Sequence, residues 1–222
     1  MALKLFAHSV SQPSRAVIWA LKLHGTPFEF EEVNIIGGGT KTPEFLAINP
    51  AGTVPTIVEG DFKLFESNAI LTYLADKYQW ESYYPKDLQV RAKINEYLHW
   101  HHQNTRLCTL KLFRPILLQT FMGIQAEEGA AEAGAKIVTK VLGLIEKFLG
   151  AHTFLVTDQP TIADIACYCE IDQLEAMNLY QFDAFPNVQR WITQMKALPL
   201  HDEVHEGLNG FVAVVKRKAA SM

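Results

Sequence analysis

The stretch VPTIVEGDFKLFES, Val54 to Ser67, decides how the first third of the chain is read. An apolar run from Val54 to Val58, a Gly60-Asp61 turn and a second run from Phe62 to Phe65 have the pattern of a β-hairpin. A helical pattern starts at Ser67 and carries Ile70, Leu71, Leu74 and Tyr78 on one side. Upstream, LKLFA (Leu3 to Ala7) reads as a buried strand. PSRAVIWALKLHG follows as a helix, with Pro13 in its first turn and Gly25 as its stop. PFEFEEVN alternates apolar and charged residues through Phe28, Phe30 and Val33, as a strand with one wet face does. A short helix near Pro43 intervenes. The order is βαβ, a short helix, then ββα.

From about Asp87 onward the pattern is helical throughout. Residues 87–120 form one long helical stretch that Pro115 should bend or end. Ile137, Val141, Leu144, Ile145 and Phe148 keep the spacing of a core-facing stripe. So do Ile162, Ile165, Ala166 and Cys169, and later Val204, Leu208, Phe211, Val212 and Val215. TIAD, Thr161 to Asp164, has the form of a capping box with Asp164 in the usual glutamate place. The expected division is a domain over 1–80, a linker over 81–86 around YYPKD, and an all-α domain over 87–222.

The chain has 222 residues, 49% hydrophobic and 20% charged, which is enough for two small cores. A net charge of −4 argues against a nucleic-acid partner, and the basic VKRKAA segment reads as the wet end of a last helix. The N-terminus lacks the form of a secretory signal, and no apolar run has membrane-spanning length. Three cysteines, Cys108, Cys167 and Cys169, make neither a disulfide framework nor a zinc pattern, which suggests a reducing compartment. The Gly37-Gly38-Gly39 run lacks the spacing of a phosphate-binding loop. HWHHQN places His99 and His102 on one helix face without an acidic or cysteine ligand nearby. It reads as a polar helix face or pocket wall, and no metal is expected.

The order of the first elements resembles a thioredoxin-like domain. Dithiol members of that fold carry Cys-x-Pro-Cys at the mouth of the first helix, where this chain has Ser11-Gln12-Pro13-Ser14. Without sulfur of its own, the site offers a hydroxyl and unpaired helix N–H groups, which suit a thiolate brought by a ligand. Lowering a thiol pKa of about 8.5 by about 2 units needs about 2.7 kcal/mol. A charge-assisted hydrogen bond supplies about 1.5–3 kcal/mol, and a helix end adds about 0.3–1 kcal/mol. Ser11 as a hydrogen-bond donor therefore needs no general base. Two other readings of Ser11 are a plain helix cap and a hydrolase nucleophile. The second lacks a G-x-S-x-G elbow, and His8 has no evident carboxylate partner.

NPAGTVPTI puts Pro55 at the start of the third strand. A cis bond there would turn the Val54 N–H and C=O outward to pair with a peptide. Glu66 and Ser67 open the next helix, where they are either a cap or a holder for an amino-acid end. SQPSRAV, INPAGTVPTI, KLFESNAILTYL, YYPKDLQVRAKINEYLHWHH and TIADIACYCEI together are similar to cytosolic glutathione transferases, most of all the theta class.

That resemblance implies an α+β N-terminal thioredoxin-like domain (βαβ-α-ββα) followed by an all-α domain forming the electrophile pocket. By the same resemblance, Ser11 activates the glutathione sulfur, and Val54, beside Thr53 and Pro55, pairs with the cysteinyl backbone. Glu66 and Ser67 hold the γ-glutamyl end, and Thr40 and Lys41 lie near the glycyl carboxylate. Asn104, Arg106 and Cys108 are the candidates for the second-substrate pocket. Theta relatives often carry an arginine pair where this chain has Arg106-Leu107, and often a histidine where it has Thr40. The chain also ends earlier than relatives with a C-terminal extension, and a more open pocket is expected. The implied activity is conjugation of the glutathione thiolate to small hydrophobic electrophiles, with reduction of organic hydroperoxides as a further possibility. Glutathione is the co-substrate, no cofactor is covalently bound, and a cytoplasmic homodimer with no membrane partner is expected. A non-catalytic glutathione- or ligand-binding relative and a glutathione-dependent isomerase are the alternatives.

Overall fold

The computed structural model describes residues 2–220. Strand β1 (Lys4–Ala7) lies inside the sheet, with Leu3, Leu5 and Ala7 buried on one face while Lys4 is exposed and Phe6 half-buried on the other. It pairs in parallel with β2 (Glu29–Glu32) and antiparallel with β3 (Thr56–Glu59), which pairs antiparallel with β4 (Phe62–Phe65). The sheet order is β2-β1-β3-β4. Helices α1 (Gln12–Leu23), α2 (Pro43–Ile48) and α3 (Ser67–Lys77) complete the N-terminal domain, with a 3-10 turn over Gly39–Lys41 ahead of α2.

β2 departs from its sequence pattern. All four of its residues are exposed, Phe30 at 43%, and only the flanking Phe28 and Val33 reach the interior. Its place at the sheet edge explains this, and its three glutamates there discourage pairing with another chain.

The helical domain holds α4 (Leu88–His101), α5 (Thr105–Cys108), a π-helical segment (Thr109–Phe113), α6 (Arg114–Met122), α7 (Ala130–Ala151), α8 (Ile162–Ala176), α9 (Pro186–Lys196) and α10 (His201–Ala220). The long helix expected from 87 to 120 is thus interrupted, and the break falls at 102–104 rather than at Pro115. Asn104 causes it: its side-chain amide donates to the Trp100 carbonyl at 2.9 Å, while its backbone N–H turns to His101. Pro115 instead sits in the first turn of α6, just past the widened π turn. A Cβ at Gly134 of α7 would lie 2.6 Å from the Lys111 carbonyl, so α7 approaches that turn as closely as glycine permits.

On α7 the buried line runs through Val138, Val141, Leu142, Ile145 and Leu149, one step round from the expected stripe, with Ile137 and Phe148 on its shoulder. Every residue of α8 from Ile162 to Leu174 is buried, as befits a central helix. Its start is fixed by Asp164, which accepts from the Thr161 N–H and hydroxyl at 2.8 Å. The same carboxylate accepts from the Leu155 N–H at 2.8 Å and Trp191 Nε1 at 3.0 Å. α1 lies against α8, and Trp19 and Trp191 are wholly buried. No helix among the described residues is long and apolar enough to cross a membrane.

Candidate active site

Ser11 is the N-cap residue of α1, with φ −69° and ψ 122°, yet its side chain makes no capping hydrogen bond. Its backbone is held at both ends: its N–H donates to the His8 carbonyl at 2.9 Å and its carbonyl accepts from the Arg15 N–H at 2.8 Å. The hydroxyl, on a residue 9% exposed, has no hydrogen-bond partner among the described residues. No hydrogen bond among the described residues joins the His8 ring to it. Burial pushes the His8 pKa down, and its Nδ1 accepts from the Val10 N–H at 3.2 Å. The arrangement is a fixed, uncommitted alcohol at a helix N-terminus, where an anion is favoured.

The corner before β3 is built around Asn49, which is fully buried. Its Nδ2 reaches the Thr53 carbonyl at 2.8 Å, Thr53 Oγ1 at 3.2 Å and Thr56 Oγ1 at 3.0 Å. Thr53 is therefore occupied in holding the corner. The next peptide bond, Val54-Pro55, is cis. No hydrogen bond among the described residues takes up the Val54 N–H or C=O. Lys41 Nζ donates to the Gly52 carbonyl at 3.3 Å. A Cβ at Gly52 (φ +61°) would stand 2.7 Å from that Nζ and 2.9 Å from the Thr40 carbonyl, so Thr40 and Lys41 fold directly onto this corner.

Glu66 adopts φ 73° and ψ 108°, in the region that disfavours a side chain, and Ser67 follows as the first residue of α3. The strain turns the chain sharply from β4 into the helix. Asn68 ties α3 to the helical domain by donating to the Leu98 carbonyl at 2.8 Å. His102 Nε2 lies 4.0 Å from Glu66 Oε2.

Thr53, Val54, Pro55, Glu66, Ser67 and Arg106 line one cavity of about 270 Å³. Four further residues complete its wall: Pro13, His101, His102 and Glu170. Ser11 stands two positions before Pro13 and is not itself on that wall, nor are Thr40, Lys41, Asn104 and Cys108. Asn104 is turned back to Trp100, and Cys108 is fully buried, which pushes its thiol well above the ordinary range. Among the described residues no group of three or more His, Cys, Asp or Glu side chains is placed to hold a metal.

Glu170 has no counterpart in the sequence reading. The one signal is a carboxylate set in the otherwise uncharged run IACYCEI, Ile165 to Ile171. It is 2% exposed and ion-pairs with Arg106 Nη1 at 2.7 Å, and His101 Nε2 lies 3.8 Å from the same oxygen. Burial opposes its charge, but Arg106, His101 and the Thr109 hydroxyl outweigh burial and hold the carboxyl below its usual range. The Thr109 hydroxyl donates to Glu170 and accepts from Gln173 and, at 2.9 Å, from Gln12. Gln12 also donates to Gln173 Oε1 at 3.0 Å. One donor and two acceptor sites of the hydroxyl are thus all used. This buried network joins the residue after Ser11 to the far wall of the cavity.

The family model described as the N-terminal domain of glutathione S-transferase matches residues 1–76, and that of the C-terminal domain matches residues 102–199. Human glutathione S-transferase theta-2B is 37% identical over 99% of this chain and 91% of its own length. Glutathione S-transferase T1 of Arabidopsis thaliana is 37% identical over 93% of this chain and 89% of its own. The crystal structure of human glutathione transferase theta-2 in complex with glutathione superposes with a TM-score of 0.88 at 35% identity, covering 98% of this chain and 91% of that one. With both domain models matched and relatives aligned along nearly its whole length, the chain belongs to the glutathione S-transferase family, and its similarity runs to the theta class.

Proposed function

We propose that the protein conjugates the glutathione thiolate to electrophilic carbon, with Ser11 donating a hydrogen bond to the sulfur. The observation that carries this reading is the uncommitted Ser11 hydroxyl at the start of α1. The free Val54 backbone supports a strand-like pairing with the cysteinyl residue of glutathione, and Glu66 with Ser67 supports capture of its γ-glutamyl end. Lys41, with Thr40 beside it, is the charge partner for the glycyl carboxylate. Arg106 lines the second-substrate side, and organic hydroperoxides are a further class of acceptor for the same thiolate. The relatives bear transferase names, and nothing favours a non-catalytic or isomerase reading.

Ser11→Ala tests the reading. Conjugation should fall strongly while retention on immobilised glutathione persists. Undiminished turnover with ordinary electrophiles would remove Ser11 from the mechanism.

The division into 1–80, a linker over 81–86 and 87–222 is consistent with the absence of helix or strand between Lys77 and Leu88. A cytoplasmic site suits three buried free cysteines. A homodimer through the β4 side is supported by Phe62 and Phe65, 43% and 37% exposed on an edge strand, with Phe62 against the Tyr73 ring at 4.9 Å. Light scattering after size exclusion should give twice the chain mass, and a monomer mass at micromolar concentration would reject the dimer.

A further inference from the structure

His8, Ser9, Val10 and Ser11 form the turn that carries the chain from β1 into α1. The turn closes on residue 8 twice. The Ser11 N–H donates to the His8 carbonyl at 2.9 Å, and the Val10 N–H donates to His8 Nδ1 at 3.2 Å. The first bond is open to any residue at position 8. The second needs a side-chain acceptor two positions before Val10, a role that Asp and Asn fill in Asx turns.

A ring nitrogen accepts only while it carries no proton, so the Val10 bond selects the neutral tautomer with hydrogen on Nε2. An imidazolium has an N–H at both ring positions. Protonation would set two donors against each other across 3.2 Å and release the Val10 N–H from the ring. Burial favours the neutral ring and holds His8 below its ordinary 6.5, while Glu32, in register with Ala7 on β2, pulls the other way. The other charges about the turn have partners of their own. Arg15 of α1 reaches the Val10 carbonyl and pairs with Asp172 of α8, which His205 of α10 also faces.

We infer that His8 is a positioning residue for conjugation: its neutral ring latches the Val10 amide and so keeps the Ser11 hydroxyl in place for the sulfur, and acid opens the latch. The inference rests on the Ser11 reading and adds the group that holds that hydroxyl.

Two variants separate a latch from ordinary packing. His8→Asn keeps an acceptor for Val10 at every pH, whereas His8→Leu has none. The probe is methyl para-(bromomethyl)benzoate with glutathione, read as kcat/KM after subtraction of the spontaneous rate. At about pH 8, His8→Asn should stay within about twofold of wild type and His8→Leu should fall by about three- to tenfold. On acidification, protonation of the thiol slows wild type and His8→Asn alike, so their ratio isolates residue 8. The ratio of wild type to His8→Asn should fall by about threefold once the ring is protonated. Nuclear magnetic resonance of the protein without glutathione locates that point: the Val10 amide should shift in the same step as the His8 ring protons.

A Val10 amide that ignores the titration of the ring overturns the inference. So does a ratio that stays flat through that titration, or equal rates for His8→Leu and His8→Asn at about pH 8. If His8→Leu does not fold by circular dichroism, the amide titration and the ratio decide. If the ring stays neutral until the protein unfolds in acid, the comparison of His8→Leu with His8→Asn decides. Failure of the Ser11 reading looks different: Ser11→Ala then turns over normally while the Val10 amide still follows the ring.

Discussion

The Val10 carbonyl accepts a hydrogen bond from Arg15 Nη1 at 2.7 Å, and Arg15 has no exposed surface at all. The loop that presents Ser11 is therefore tied from beneath by a buried charge. That charge is met by Asp172, whose two oxygens lie 2.8 and 3.0 Å from Arg15 Nη2, and by the Cys169 carbonyl at 2.9 Å. His205 of α10 stands 3.1 Å from the same carboxylate. Placement of the serine thus depends on helices α1, α8 and α10 together.

Asp172→Asn keeps the shape but removes the countercharge, leaving a buried guanidinium unpaired. Breaking one side of such a pair costs about 3–5 kcal/mol. Urea unfolding should show a loss of that order, with reduced turnover in the folded fraction. A change below about 1 kcal/mol would mean that the ion pair does not anchor the loop.

Ser11→Ala should move the pH dependence as well as the rate. On the proposed reading a hydrogen bond to the thiolate favours the anion, and the bound thiol should ionise below the free value of about 8.5. Losing a bond of about 1.5–3 kcal/mol raises the half-maximal pH by about 1–2 units. Ultraviolet titration of the glutathione complex reads this directly, and superimposable titrations of variant and wild type would exclude the hydrogen bond.

Gly207 of α10 faces the same loop. A Cβ there would come within 2.8 Å of Ser9 Cβ and Oγ, whereas a Cβ at Gly210 meets nothing within 4 Å. Gly207→Ala should cost about 1–3 kcal/mol of stability and lower kcat by displacing Ser9. Gly210→Ala should instead stabilise by up to about 1 kcal/mol. Thermal melts and steady-state rates of the two variants give the comparison, and equal effects would refute the close approach.

Glu170 links stability to pH. Its carboxyl is held below the ordinary 4.5 in the folded protein, chiefly by Arg106 against the cost of burial. The pairing therefore stabilises fully above the unfolded value and is lost as pH falls through the folded one. Stability measured by denaturant at a series of pH values should drop on acidification, and Glu170→Gln should give a flatter curve. Parallel curves for the two proteins would show that Glu170 binds its proton equally in both states.

Much of this arrangement is legible before any coordinates. The hairpin from Val54 to Phe65, the helix starts at Gln12 and Ser67, and the capping box at Thr161 follow from neighbours a few residues apart. Readings that needed a global face were less secure. Phe30 alternates correctly but sits on a sheet edge, and the α7 stripe lies one step round from its sequence pattern. The break at 102–104 is local, but its cause is Asn104 competing for a carbonyl, which periodicity does not register.

Sequence alone determined the element order, the family, and the residues at Ser11, Val54-Pro55 and Glu66-Ser67 on which the proposed glutathione site rests. These are properties of short stretches, where spacing, caps and turn chemistry act between adjacent turns of chain. The tertiary structure alone decided that Glu170 confronts Arg106 across 64 positions, and that Gln12 reaches Gln173 across 161. Such pairs form only when α1, α5 and α8 close around one core, because a buried polar group is stable only with the partners that closure brings.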